Sequence, residues 1–122
     1  MSDTPLILIV DDNAVNLKLA RVLLTQSGYK VYTATNAQEA LTSLEIFHPR
    51  LILMDVQMPG MDGLALTRRL KSQPATRDIN IVALTAYAMK GDEQKAHEAG
   101  CDGYIPKPID VDTFVKSIEK YL

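Results

Sequence analysis

Leu6-Ile7-Leu8-Ile9-Val10-Asp11-Asp12-Asn13 is a run of five apolar residues closed by two acids, and Leu51-Ile52-Leu53-Met54-Asp55 repeats the pattern with one. Runs this short and this uniformly apolar suit strands covered on both faces, as in a parallel sheet. Two further runs end in the same way, 81–84 at Thr85 and Tyr104-Ile105 just before Lys107. Segments with helical spacing separate the runs, and a sheet built by such alternation binds its ligands outside the carboxyl ends of its strands. Asp11, Asp12, Asp55, Thr85 and Lys107, far apart along the chain, are therefore expected to meet in one crevice.

Outward from these runs the chain divides into five strand–helix units. Strand 1 is Leu6–Val10, and its helix is expected to bury Val15, Leu19, Val22 and Leu23 and to end at Gly28, a good left-handed cap. Strand 2 covers 31–34. Asn36 followed three residues later by Glu39 opens a helix that runs to about Phe47, ahead of Pro49. Strand 3 covers 51–54, and the turn Met58-Pro59-Gly60-Met61-Asp62-Gly63 leads into a helix over 64–71. Strand 4 covers 81–84, with a helix near 92–99 capped by Gly100. Strand 5 covers 103–105, and the last helix is expected to start at Asp110 and bury Val111, Phe114, Val115, Ile118 and Leu122.

A chain of 122 residues with 47% hydrophobic content fits one domain, 1–122, with one core. Right-handed crossovers leave few topologies for five such units. The expected one is a three-layer α/β sandwich with parallel strand order 2-1-3-4-5, the flavodoxin-like arrangement, in which strands 1 and 3 lie side by side at the switch point. A net charge of −2 without any basic tract argues against binding to nucleic acid or an anionic membrane. No apolar stretch approaches the roughly 20 residues of a bilayer span, and the polar start lacks the character of a signal peptide. The single cysteine, Cys101, cannot form an internal disulfide, and a cytoplasmic location is expected. His48 and His97 have no partners at metal-ligand spacing.

Three carboxylates in one crevice repel one another, each pair by about 4 kcal/mol at 4 Å and an effective dielectric near 20. The cluster therefore calls for a cation. All-oxygen ligands suit Mg²⁺, which takes one or two carboxylates, several waters and a phosphate oxygen, so the chemistry indicated is phosphoryl transfer. Asp55, at the end of the most apolar strand, is the best nucleophile candidate, because an aspartyl carboxylate can attack phosphorus to give an acyl phosphate. Lys107, followed by Pro108 in a predicted turn, can offset charge on the oxygens in transfer, and the Thr85 hydroxyl can donate to one of them.

These segments, together with Ala83-Leu84-Thr85-Ala86 and Tyr104-Ile105-Pro106-Lys107-Pro108, resemble the receiver domain of two-component response regulators over essentially the whole chain. Asn13, Asn16 and Gln57-Met58-Pro59 look like receivers of hybrid histidine kinases and small single-domain phosphorelay regulators. The resemblance implies that Asp55 accepts a phosphoryl group from a phosphohistidine of a histidine kinase or phosphotransfer protein. It implies that Asp12, Asp55 and the Gln57 carbonyl bind Mg²⁺ directly, and Asp11 through a water. Thr85 and Lys107 would contact the phosphoryl oxygens. Thr85 and Tyr104 would switch together and alter the surface of helix 4, strand 5 and helix 5 for a downstream protein, while Gln57 and Tyr87 would tune hydrolysis of the acyl phosphate. Such a domain is a signalling module, catalysing only its own phosphorylation and dephosphorylation.

Other classes fit less well. An FMN-binding electron carrier of this fold would meet repulsion from acids in its first loop. A haloacid-dehalogenase phosphatase would want an acid where Gln57 stands, and no Gly-x-x-x-x-Gly-Lys-Ser/Thr loop supports a nucleotide triphosphatase. A phosphorylation-independent interaction module would not require all five site residues.

Overall fold

A computed structural model of the chain describes residues 5–56, 62–85, 90–107 and 109–122. Five strands and five helices alternate: β1 Leu6–Val10, α1 Ala14–Gln26, β2 Lys30–Ala34, α2 Ala37–Leu44, β3 Leu51–Asp55, α3 Gly63–Lys71, β4 Asn80–Thr85, α4 Lys90–Ala99, β5 Gly103–Pro106 and α5 Phe114–Glu119. The strands form one parallel sheet in the order β2-β1-β3-β4-β5. This is the expected flavodoxin-like topology, with strand limits within one residue of those expected.

Alternation along the strands divides the core into two layers. Leu8, Val10, Ile52, Met54, Ile81 and Ala83 face α2, α3 and α4, where Ala40, Leu66, Leu70 and Ala96 meet them. Ile7, Ile9, Leu51, Leu53, Val82 and Leu84 face the other way, onto Leu17, Ala20 and Leu24 of α1 and Phe114 and Ile118 of α5. Apolar surface is needed on both faces of the central strands, which is why their sequences do not alternate with polar residues.

Three helices differ from expectation, α2 only in where it ends. In α1 the buried residues are Leu17, Ala20 and Leu24, whereas Val15 is 75% exposed and Val22 also lies outward; Leu19 and Leu23 are half-buried. The inward stripe runs i, i+3, i+7 through an alanine, whose small side chain lets the helix approach the sheet closely, so a reading weighted toward large apolar residues chose a rotated face. At the other end, α5 begins at Phe114 rather than Asp110. The Asp110 carboxylate accepts the Asp112 N–H at 2.9 Å, a local bond that favours a turn over helix, and Val111 is exposed there. Phe114 and Ile118 are buried as expected, with Val115 and Leu122 half-buried.

The α2 entry follows its sequence pattern: Asn36 Oδ1 accepts the Glu39 N–H at 2.8 Å, and Glu39 reaches back to the N–H and hydroxyl of Thr35. These bonds hold the Glu39 carboxyl below its ordinary pKa, with the Thr35 backbone bond the main cause. The helix ends at Leu44, and tighter turns carry the chain to Phe47. Cys101 is buried beside Thr67, and burial pushes its thiol above the ordinary value. Its thiolate is the reactive form, so the native protein at pH 8 is expected to react with Ellman's reagent at least about tenfold more slowly than the urea-unfolded chain. Equal rates would show that Cys101 is accessible.

Candidate functional site

Asp11, Asp55, Thr85 and Lys107 each stand at the carboxyl end of a strand because register puts them there. Val10 pairs with Met54, so Asp11 and Asp55 each follow one member of that pair on the adjacent strands β1 and β3. Asp55 pairs with Leu84, the residue before Thr85; Thr85 pairs with Pro106, the residue before Lys107. The Lys107 N–H donates to the Thr85 carbonyl at 2.6 Å, extending the pairing into the site.

Local bonds fix the loops. The Asp11 N–H donates to the Ala34 carbonyl at the end of β2, while Asp11 Oδ1 accepts the Asn13 N–H at 2.9 Å. Asn13 in turn caps α1, its Oδ1 accepting from Val15 and Asn16. Just past β3 the Val56 N–H donates to the Leu84 carbonyl and the Val56 carbonyl accepts from the Gly63 N–H, which brings the start of α3 against the end of β3. Asp62 caps that helix through the Ala65 N–H. A Cβ at Gly63 would overlap the Asp55 carbonyl oxygen and lie 2.9 Å from its carbonyl carbon, so the position needs glycine for close approach.

Asp11 is 1%, Thr85 2% and Asp55 4% exposed, and Asp12 stands open at the rim. One carboxylate oxygen from each of Asp11, Asp12 and Asp55 lies within 4.8 Å of the others, a separation one cation can span. Lys107 Nζ sits 3.0 Å from Asp11 Oδ2 and 3.1 Å from Asp55 Oδ1. Apart from this charge contact, the buried Oδ2 of Asp11 has no hydrogen-bond partner among the described residues. Burial alone would lower the Lys107 pKa, but Asp11 and then Asp55 outweigh it and hold it above the ordinary value. A raised lysine pKa places the full contribution of these pairs below the pKa of the unfolded lysine; it is lost only as pH rises through the folded value. The pairs therefore persist throughout the neutral range.

The structure thus brings together Asp11, Asp12, Asp55 and Lys107, with buried Thr85 at the same rim. Tyr104, half-buried on β5, lines a groove of about 510 Å³ with Lys107, Asp110, Phe114 and Tyr121. Gln57 and Tyr87 lie outside the described residues, as do Met58, Pro59, Gly60, Met61 and Pro108. His97 is exposed, and His48 makes an exposed 3.3 Å contact with Asp78. Sequence reading placed Gly63 in a turn but missed its packing on Asp55, and Asn13 as a helix cap also went unread, although an Asn just ahead of a helix is the usual signal.

The comparisons agree with this geometry. The family described as response regulator receiver domain matches residues 7–119. The polar-differentiation response regulator DivK of Brucella ovis is 44% identical over 119 residues, covering 98% of this chain and 97% of its own. Among solved structures, the chemotaxis protein CheY4 of Vibrio cholerae superposes with a TM-score of 0.92 at 27% identity, covering 98% of this chain and 99% of that one. The receiver domain of a sensor histidine kinase from Pseudomonas aeruginosa PAO1, with a magnesium ion coordinated in its active site cleft, gives a TM-score of 0.87 at 32% identity and 97% coverage of each chain. The family match runs from β1 to the end of α5 and takes in every strand that carries a site residue: the chain belongs to the response regulator receiver domains, the CheY-like signalling domains of two-component systems.

Proposed function

We propose that the chain works in a phosphorelay, accepting a phosphoryl group on Asp55 from the phosphohistidine of a histidine kinase or phosphotransfer protein. The observation that supports this most strongly is the ammonium of Lys107 lying between the buried carboxylates of Asp11 and Asp55. In the transfer an Asp55 carboxylate oxygen bonds to phosphorus while the P–N bond breaks. The electron pair leaves with the imidazole nitrogen, and solvent protonates it if required. Lys107 and the Thr85 hydroxyl bind the phosphoryl oxygens, offsetting charge that would otherwise repel Asp55.

The residues fit a divalent cation: a clustered acid trio is combined with a buried Asp11 oxygen short of a hydrogen-bond donor. Asp12, Asp55 and the Gln57 carbonyl would hold Mg²⁺ directly and Asp11 through a water; when bound, the ion neutralises and orients phosphoryl oxygens. Thr85 and Tyr104 form the switch, moving together to change the α4-β5-α5 surface that a downstream protein binds. The phosphoryl group shifts this equilibrium only by its differential interaction with the two states. Gln57 and Tyr87 set the lifetime of the acyl phosphate, so Tyr87→Ala is expected to hydrolyse faster, measured as decay of the phosphorylated mass; unchanged decay would remove Tyr87 from that role. The domain spans 1–122, acts in the cytoplasm and turns over no substrate beyond its own phosphoryl group. No helix among the described residues is long and apolar enough to cross a membrane.

The test is intact mass after incubation with acetyl phosphate. A gain of about 80 Da, one phosphoryl group, is expected with Mg²⁺ and not with EDTA. No gain with Mg²⁺ binding demonstrated would favour a phosphorylation-independent module.

A further inference from the structure

β5 has only four residues and a single hydrogen-bonded neighbour, β4, yet Lys107 directly follows it. Among the described residues no strand pairs with its outer edge, and a one-residue slip in a parallel pair turns every side chain to the other face. Asp102 stands directly below the strand. Its backbone N–H donates to the Ile81 carbonyl at 2.7 Å, and its Oδ2 accepts the Ile81 N–H at 2.8 Å, so one residue takes both backbone groups of Ile81. The same Oδ2 lies 2.8 Å from Lys71 Nζ, which also donates to the Ile79 carbonyl at 2.7 Å and the Arg77 carbonyl at 3.2 Å. Lys71 comes from the end of α3, and its stem fits under Gly100, where φ is +104° and a Cβ would lie 2.9 Å from Lys71 Cγ. Three connections, α3 to β4, α4 to β5 and the first residues of β4, are thereby tied to one ion pair.

We infer that Asp102, held by Lys71, is a positioning residue for phosphoryl uptake: it pins β5 against β4 and so sets Lys107 beside Asp55 and Asp11 at the opposite end of the sheet. The strand between them transmits the placement over roughly 17 Å at the usual rise per residue. The carboxylates stand on β1 and β3, outside this linkage. The inference rests on the proposed function, since Lys107 matters to uptake only if Asp55 is the acceptor.

Asp102→Ala is expected to slow uptake from acetyl phosphate on the order of tenfold, because small misplacements of a charge-stabilising group are costly. Mg²⁺ binding, followed by calorimetry, is expected not to weaken. Asp102→Asn, which keeps an oxygen for the Ile81 N–H, is expected to recover most of the rate. In a Lys107→Ala background Asp102→Ala is expected to change uptake by less than about twofold, since the two act as a unit. An equal loss with and without Lys107, no loss, or no recovery by Asn would overturn the proposal. Amide exchange gives a readout that does not need phosphorylation: at Lys107 it is expected to quicken about tenfold in Asp102→Ala relative to β1 and β3. Unchanged exchange overturns the pin, whereas quickened exchange in a protein that takes up no phosphoryl group supports the pin and overturns Asp55 as acceptor. If Asp102→Ala does not fold, Lys71→Met leaves Asp102 in place and is expected to quicken exchange at Lys107 in the same way, and unchanged exchange there overturns the proposal.

Discussion

Asp55→Asn is expected to abolish phosphoryl uptake while leaving the protein folded. The amide is close to isosteric with the carboxylate but is a poor nucleophile, so the adduct should fall below detection under conditions that label the wild type fully. Folding is spared because the substitution also removes one of three clustered negative charges, and Lys107 keeps its contact with Asp11. Mg²⁺ affinity is expected to fall roughly tenfold or more, since the proposed role of Asp55 is that of a direct carboxylate ligand, which contributes more than the outer-shell groups whose loss has that effect. Circular dichroism, calorimetric Mg²⁺ titration and intact mass on one preparation separate these outcomes. A labelled Asp55→Asn protein would place the acceptor elsewhere.

Gly63→Ala is expected to be the most damaging small substitution in the chain. The added methyl would overlap the Asp55 carbonyl oxygen and lie 3.0 Å from Met54 Cγ, and both neighbours belong to the most buried strand of the sheet. Backbone in a central strand cannot swing aside as a flexible side chain can, so the first turn of α3 must move instead. That strains the Gly63 N–H bond to the Val56 carbonyl and the bond from the Thr67 hydroxyl to the Gly63 carbonyl. Overpacking of this kind costs about 3 kcal/mol, measured as a shift in urea midpoint at constant slope. Uptake by the folded fraction should also slow, because the start of α3 packs directly on Asp55, the proposed acceptor. A loss under about 0.5 kcal/mol would show that α3 has room to retreat.

Much of this was legible in the sequence because the physical signals were strong and local. Apolar runs such as 51–54 can be satisfied only by burial on both faces, and with five strands separated by helices the parallel order followed from connectivity. The site was legible for the same reason: strand ends converge whatever the details of packing. Orientation was harder to read where a helix face contains a small residue. Ala20 outranks Val15 and Val22 as a core position because of how closely α1 approaches the sheet, which is a tertiary property with no local signature. The start of α5 depended on a competition between the Asp110 side chain and helical bonding, and residue type alone does not settle it. Gly63 and Asp102 went unread because their partners, Asp55 and Ile81, are 8 and 21 positions away and become neighbours only in the fold.

The measurement that bears most directly on the central claim is the position of the modified residue. Wild-type protein is incubated with a phosphorylated histidine phosphotransfer domain and Mg²⁺, treated with borohydride to reduce the acyl phosphate to homoserine, digested and sequenced by tandem mass spectrometry. Homoserine at position 55, appearing only when donor and Mg²⁺ are both present, is the predicted result. An unmodified Asp55 in a protein that has nonetheless gained a phosphoryl group would contradict the account.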